Sequence, residues 1–274
     1  LILLVCAGLL IQTFARLSRV QTGLRTEKLF TARINLPDAS YPRPANVNAF
    51  FDQLLAKIRA IPGINSASII LPLPLTGSNI TTDFDAEEHP LPEGQRNDAP
   101  MRITGVDYFE TMGIPLLQGR VFKETDKFDS LPVVIVNERF AQKFFPGQDI
   151  VGKRIQPGWS VGDEKPRMRQ IVGVVGNVRH LSLQKDFTPE MYVPATQVPV
   201  NFFWIVARTS LSDSAALTTA VRDQLASLDR DIPLNQVRVF DEYMSRTLAK
   251  PRFNALLLSI FAGTALLLTA IGIY

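Results

Sequence analysis

Residues 30–70 read FTARINLPDASYPRPANVNAFFDQLLAKIRAIPGINSASII, and this stretch decides the fold. Phe30, Ala32, Ile34 and Leu36 alternate with Thr31, Arg33 and Asn35, the period-two pattern of a strand with one apolar face. Pro37-Asp38 and the prolines at 42 and 44 then turn the chain. Val47, Phe50, Phe51, Leu54, Leu55 and Ile58 recur at i, i+3, i+4, i+7, i+8 and i+11, which places all of them on one face of a helix. Pro62-Gly63 stops that helix, and Ile64 to Ile70 reads as a second strand. The stretch is a βαβ unit.

The same order returns late in the chain. Phe202 to Arg208 (FFWIVAR) is a strand, and Ser212 or Asp213 caps a helix whose Leu217, Val221, Leu225 and Leu228 share a face. Asp231 to Pro233 turns the chain into a last strand, Gln236 to Phe240. Two βαβ units predict an α+β fold built on a ferredoxin-type split sheet with its helices on one face. Pro72 to Val200 interrupts it with shorter elements: strands at Asp83–Ala86, Met101–Val106, Val133–Val136, Arg154–Gln156 and Gln170–Val178, and helices at Asp107–Met112 and Glu138–Phe145. Asn137 is positioned to cap the second of these helices, and Pro146-Gly147 ends it. This insertion reads as a mixed, mostly β subdomain.

Both ends are apolar. Phe253 to Tyr274 (FNALLLSIFAGTALLLTAIGIY) contains no charged residue, and about 20 such residues span a ~30 Å hydrocarbon core as a helix. Its Ser259, Gly263, Thr264, Thr269 and Gly272 suit packing on other membrane helices. Leu1 to Ala15 is also uncharged, lacks the basic n-region and cleavage site of a signal peptide, and reads as the end of another membrane helix. Leu17, Val20 and Leu24 continue its helical rhythm as a stalk. The expected layout is therefore 1–29 membrane helix and stalk, 30–71 first half of the split-sheet subdomain, 72–200 insertion, 201–240 second half, 241–252 stalk and 253–274 second membrane helix, in a piece of a longer protein. Arg16, Arg19, Arg25, Lys28, Arg246, Lys250 and Arg252 flank the loop, but the positive-inside rule weakens for a loop this long and leaves its side open.

The second stalk holds the residues singled out for function: Asp241, Glu242, Tyr243, Met244, Arg246, Lys250, Pro251 and Arg252. Met244, Leu248 and Phe253 continue an apolar side, with Arg246, Lys250 and Arg252 at headgroup level. Pro251 introduces a kink. The arrangement reads as a rigid lever between membrane helix and folded domain, the plainer alternative being an interfacial anchor.

Catalysis finds little support. Gly147 to Arg154 has the G-x-x-x-x-G-K spacing of a phosphate loop, but Arg154 stands where the Mg²⁺-binding hydroxyl belongs, and the loop leads from a helix into a strand. Gly173-Val-Val-Gly176 reads as a bend or bulge. His89 and His180 are far apart and read as solvated or core-satisfied. The pairs Glu87-Glu88, Asp163-Glu164 and Asp241-Glu242 read as solvated, and no G-x-S-x-G elbow occurs. Cys6 is the single cysteine, which excludes an internal disulfide framework. A net charge of +3 gives no argument for nucleic acid. The expectation is no enzyme and no catalytic, cofactor or metal residue in this chain.

Gly105-Val-Asp-Tyr-Phe-Glu-Thr-Met-Gly113-Ile-Pro-Leu-Leu-Gln-Gly119-Arg120 resembles the insertion of MacB/FtsX-type ABC transporter permeases. Val134 to Phe145 (VIVNERFAQKFF), Pro146-Gly147 through Gly152-Lys153-Arg154-Ile155, and Ile171 to Val178 (IVGVVGNV) resemble the same family, in order along the chain, with the duplicated permeases of Acidobacteria looking closest. The resemblance implies a periplasmic core domain, with a porter-like subdomain, between the first two of four helices of a multi-pass bacterial inner-membrane protein. It implies ATP and Mg²⁺ on a separate cytoplasmic ABC ATPase subunit or domain, and a second permease copy or pseudo-dimer half. Membrane lipid and a periplasmic adaptor are further candidate partners. The implied function is mechanotransmission for efflux or export of an unknown substrate. From the residues alone, a ligand-sensing ectodomain of a membrane receptor is the second reading.

Overall fold

The computed structural model describes residues 22–87, 96–159, 165–183, 186–211 and 213–240, together with 12, 253, 256–264, 267–268 and 271–272. Strand β1 (Leu29–Asn35) leads through helix α1 (Pro44–Arg59) to β2 (Ile64–Leu71). β10 (Phe202–Thr209), helix α4 (Ser214–Leu228) and β11 (Asn235–Val239) form the second unit. The four strands lie in the order β11-β1-β10-β2, each antiparallel to its neighbour. Each βαβ unit is thus split by a strand of the other, as the two repeated patterns predict.

Local chemistry accounts for the helices. Pro44 occupies the first turn of α1, where a missing N–H costs nothing, and Lys57 and Arg59 sit in the last turn against the negative end of the helix dipole. The six apolar residues of the α1 pattern are all buried. Of the two candidate caps for α4, Asp213 performs the role, its carboxylate accepting from the N–H groups of Ala215 and Ala216 at 2.9 and 3.0 Å.

The intervening elements are β3 (Thr81–Ala86), β4 (Asn97–Thr104), α2 (Tyr108–Met112), β5 (Leu116–Gly119), β6 (Val133–Asn137), α3 (Glu138–Phe144), β7 (Arg154–Pro157), β8 (Arg169–Val175) and β9 (Met191–Pro194). Pairing runs β4-β3-β7-β8-β6-β9 and returns from β9 to β4, so six strands form a closed ring. β5 lies outside it against β8. The end of β4 also carries β2, through Ile70↔Thr104 and Leu71↔Ile103, so the ring and the split sheet are one continuous hydrogen-bonded array.

Two apolar clusters fill the structure. The larger joins α1 and α4 to one face of the split sheet and continues into the ring through Met101, Ile103, Val134, Val136 and Met191. Phe140 and Phe144 of α3 pack there on Phe84, with ring centroids 5.0 and 4.9 Å away. The second cluster covers the opposite face with Tyr108, Phe109, Met112, Trp204 and Phe240. Gly173 of β8 lies against the chain that leaves β5: a Cβ would stand 2.2 Å from the Arg120 carbonyl oxygen, so this glycine admits a backbone rather than a ligand. The Gly147–Arg154 loop leads from α3 into β7, a strand, and so presents no helix N-terminus to a phosphate.

Candidate functional site at the base of the domain

Phe30, near the start of β1, pairs with Val239 at the end of β11. The chain therefore joins and leaves the split sheet on neighbouring strands at one end, the base of the domain. Phe240 follows in helical conformation, fully buried in the second apolar cluster.

Residues 22–28 run beneath this end as a strap. Leu17 to Leu29 was expected to carry a helix onward from the membrane, and residues 22–28 correct that expectation, since they hold no helix. The backbone reason is visible at Gly23, whose φ of +76° is a left-handed conformation. Its hydrogen-bonding groups are also engaged across the chain. The Arg25 N–H donates to the Met112 carbonyl at 2.9 Å, and the Arg179 N–H donates to the Thr22 carbonyl at 2.9 Å.

Arg208, at the end of β10, locks the strap. Its Nε donates to the Thr111 carbonyl at 2.9 Å, its Nη1 to the Glu27 carbonyl at 3.0 Å and its Nη2 to the Arg25 carbonyl at 2.7 Å. A planar guanidinium with several fixed N–H directions satisfies three such carbonyls in a way that an ammonium cannot. Burial and the nearby Arg25 lower its pKa, against a smaller rise from Glu27. One side chain thus ties together strap, split sheet and insertion. The sequence pattern shows β10 but carries no sign of this role, because the partners are main-chain carbonyls distant along the chain.

A second polar knot lies inside. Arg102 of β4 donates from Nη2 to Glu190 at 2.9 Å and from Nη1 to Asn79 at 2.8 Å. The Tyr192 hydroxyl donates to the other Glu190 oxygen at 2.9 Å, and Nδ1 of His180 stands 2.6 Å from it. Arg102, Glu190 and Tyr192 are wholly buried. Burial pushes the Glu190 carboxyl up, but His180 and Arg102 outweigh it and hold it below the ordinary carboxylate range. Burial, together with Arg102, lowers the His180 pKa against the opposing pull of Glu190. Arg102 supplies the counter-charge to Glu190. Of the two readings left open for this histidine, the solvated one is corrected: His180 is buried, with Nδ1 beside Glu190 and Nε2 without a hydrogen-bond partner among the described residues. His89 lies outside the described residues, as does Asp163-Glu164.

The predicted lever residues Asp241, Glu242, Tyr243, Met244, Arg246, Lys250, Pro251 and Arg252 also lie outside the described residues. Beyond them, residues 256–264 are helical, and Leu256, Ile260 and Phe261 expose more than half of their surface. Among the described residues no helix is long and apolar enough to cross a membrane. Among the same residues no three His, Cys, Asp or Glu side chains stand together as a metal site would require.

The fold and its base define a mixed α+β domain whose chain enters and leaves at one end. Residues 5–228 match the family of MacB-like periplasmic core domains, and the chain belongs to that family. Its fold is similar to the periplasmic region of MacB from Actinobacillus actinomycetemcomitans, with a TM-score of 0.51 and 16% identity over 84% of this chain and 97% of that one. The extracellular domain of the noncanonic ABC-type transporter YknZ from Gram-positive bacteria matches at a TM-score of 0.45 and 16% identity, over 76% of this chain and 100% of that one. A domain of a putative permease protein from Porphyromonas gingivalis matches at 0.48 and 15%, over 78% and 90%. No curated protein sequence matches the chain.

Proposed function

We propose that this chain is the extracytoplasmic core of a multi-pass ABC transporter permease of the bacterial inner membrane. In this reading a cytoplasmic ATPase holds ATP and Mg²⁺, and its cycle moves the domain mechanically to drive efflux or export. The chain itself performs no catalysis and pairs with a second permease copy or half. The observation that carries the reading is the pairing of Phe30 with Val239, which brings both connections to the base. Family membership supports the periplasmic placement. The exposed Leu256, Ile260 and Phe261 support a lipid-facing helix after the second connection.

In this proposal the layout of 30–71 and 201–240 around 72–200 gives a porter-like unit with an insertion, and 241–252 acts as the lever. If helical at ~1.5 Å per residue, that segment is close to 18 Å long and transmits tilt. A flexible linker of equal length absorbs it. Gly-Gly at Ser245 and Arg246 costs about 1 kcal/mol per glycine in helix propensity, too little to unfold the domain. In the full-length protein with its ATPase, this variant should insert and assemble normally yet lose transport. Transport equal to the parent would overturn the lever.

A further inference from the structure

A cleft of about 900 Å³ lies between α1 and the insertion. Two contacts close its ends. Asn48 Nδ2 donates to the Thr196 carbonyl at 3.0 Å, and Arg59 forms an ion pair with Asp107 at 2.6 Å. Asp52 lies between them on the same side of α1, one turn after Asn48. The floor is apolar, with Phe51, Leu55, Ile69 and Phe203 all buried. Phe51 meets Phe203 edge-on at a centroid distance of 5.0 Å.

The opposite rim is built in advance. Arg120 grips Asp126 with two hydrogen bonds of 2.7 and 2.9 Å, and the Lys123 N–H donates to the same carboxylate at 2.8 Å. Nε2 of the buried Gln197 donates to the Lys127 carbonyl at 3.2 Å and the Leu131 carbonyl at 2.9 Å. These bonds hold Glu124, Phe128 and Asp129 at the cleft without a ligand, so little ordering cost remains for binding.

Charge sets the sign of the occupant. Arg59 is engaged by Asp107, which leaves Asp52, Glu124 and Asp129 against Arg43 and Lys127 along the lining. Asp52 and Glu124, from opposite walls, make no hydrogen bond or ion pair with a described residue. Burial, then Glu124, raises the Asp52 carboxyl above its ordinary value, with Lys127 and Arg59 acting less strongly the other way. A cation between the two carboxylates removes that repulsion.

We propose that this cleft binds an amphipathic organic cation, its apolar body against Phe51, Leu55 and Phe128 and its positive centre between Asp52 and Glu124. The inference goes beyond the transport reading and holds whether or not an ATPase drives the chain.

The test is titration calorimetry of the full chain in lipid nanodiscs with tetraphenylphosphonium. Tetraphenylborate, of the same shape and opposite charge, is run beside it, and empty discs give the lipid background. The cation should bind saturably above background and the anion should not. The Asp52→Asn/Glu124→Gln double variant, altered only at exposed positions, should bind about tenfold more weakly, the scale of losing a charge contact in a partly solvated site. Lys127→Ala should bind the cation at least as tightly as the parent. Equal binding of both ions, no cation uptake above empty discs, or an unchanged affinity in the double variant would overturn the proposal. So would weaker binding in Lys127→Ala.

Discussion

Glu190→Gln should be among the most destabilising single substitutions in the domain. The amide keeps the shape of the side chain but leaves the Arg102 guanidinium, fully buried, facing only neutral oxygens, that of Asn79 and that of the amide itself. Removing one partner of a buried ion pair costs about 3–5 kcal/mol, because a charge is left uncompensated in a low-dielectric interior. Replacing both partners, as in Arg102→Met/Glu190→Leu, removes charge and counter-charge together and should recover most of that loss. Urea unfolding followed by the fluorescence of Trp204, itself buried, measures each variant. The acid limb offers a second readout. The native-state pKa of Glu190 lies below its ordinary value of 4.5, so the unfolded chain takes up this proton first as pH falls. Its contribution is complete above the unfolded value and is lost as pH falls through the native one. Glu190→Gln should flatten this limb. A Glu190→Gln protein within about 1 kcal/mol of the parent, or a double variant as unstable as the single one, would refute the reasoning.

Gly23→Ala places a Cβ 1.9 Å from the Asn177 carbonyl oxygen at a φ of +76°, and should loosen the strap; faster hydrogen exchange at 22–28 is the measurement, and parental exchange rates would contradict it. Tyr41 donates to Asp229 at 2.9 Å, and burial, then that bond, pushes its phenol up to about 12. The folded state holds this proton more tightly, so the contribution is present below pH ~10 and lost as pH rises toward the native value, and Tyr41→Phe should remove that part of the alkaline limb. Mg-ATP should show no saturable binding to the full chain; micromolar affinity abolished by Lys153→Ala would overturn the structural reading of Gly147–Arg154. Trp204 pairs with Ile70 across adjacent antiparallel strands, so joining Leu71 to Asn201 by a short Gly/Ser linker should leave a four-stranded remnant. Non-cooperative unfolding of that remnant would count against the two-unit layout.

How far the sequence revealed all this depended on periodicity. α1 was legible because Val47 to Ile58 face one core, and β1 because its apolar residues alternate. β9 gave no comparable signal. Met191 to Pro194 is buried throughout, and a run of four residues without alternation resembles any short apolar segment. β5 fails for the opposite reason, being exposed along its whole length. The strap differs from the sequence expectation because Leu17, Val20 and Leu24 share a helical spacing, while the positive φ at Gly23 is a tertiary fact. The Arg102–Glu190 pair joins residues 88 positions apart, and in sequence each is an ordinary charge expected at the surface.

The three strands that meet on β4 have a consequence for the order of folding. Thr104 pairs with Ile70 on one side and Pro194 on the other, and its carbonyl accepts from the Ala195 N–H at 2.8 Å. The two places where the insertion joins the split sheet are thereby pinned to a single residue. Closing a long loop costs entropy that grows as the logarithm of its length, and β2 must otherwise find β10 across the whole of 72–201. Once the ring has closed, that search is over: the free stretch between Ala195 and Phe202 is short, and β10 is delivered beside β2 with its position along the strand nearly set. The insertion is in this sense the template on which the split sheet completes itself, and a slowly closing ring would delay every contact made by α4 and β11.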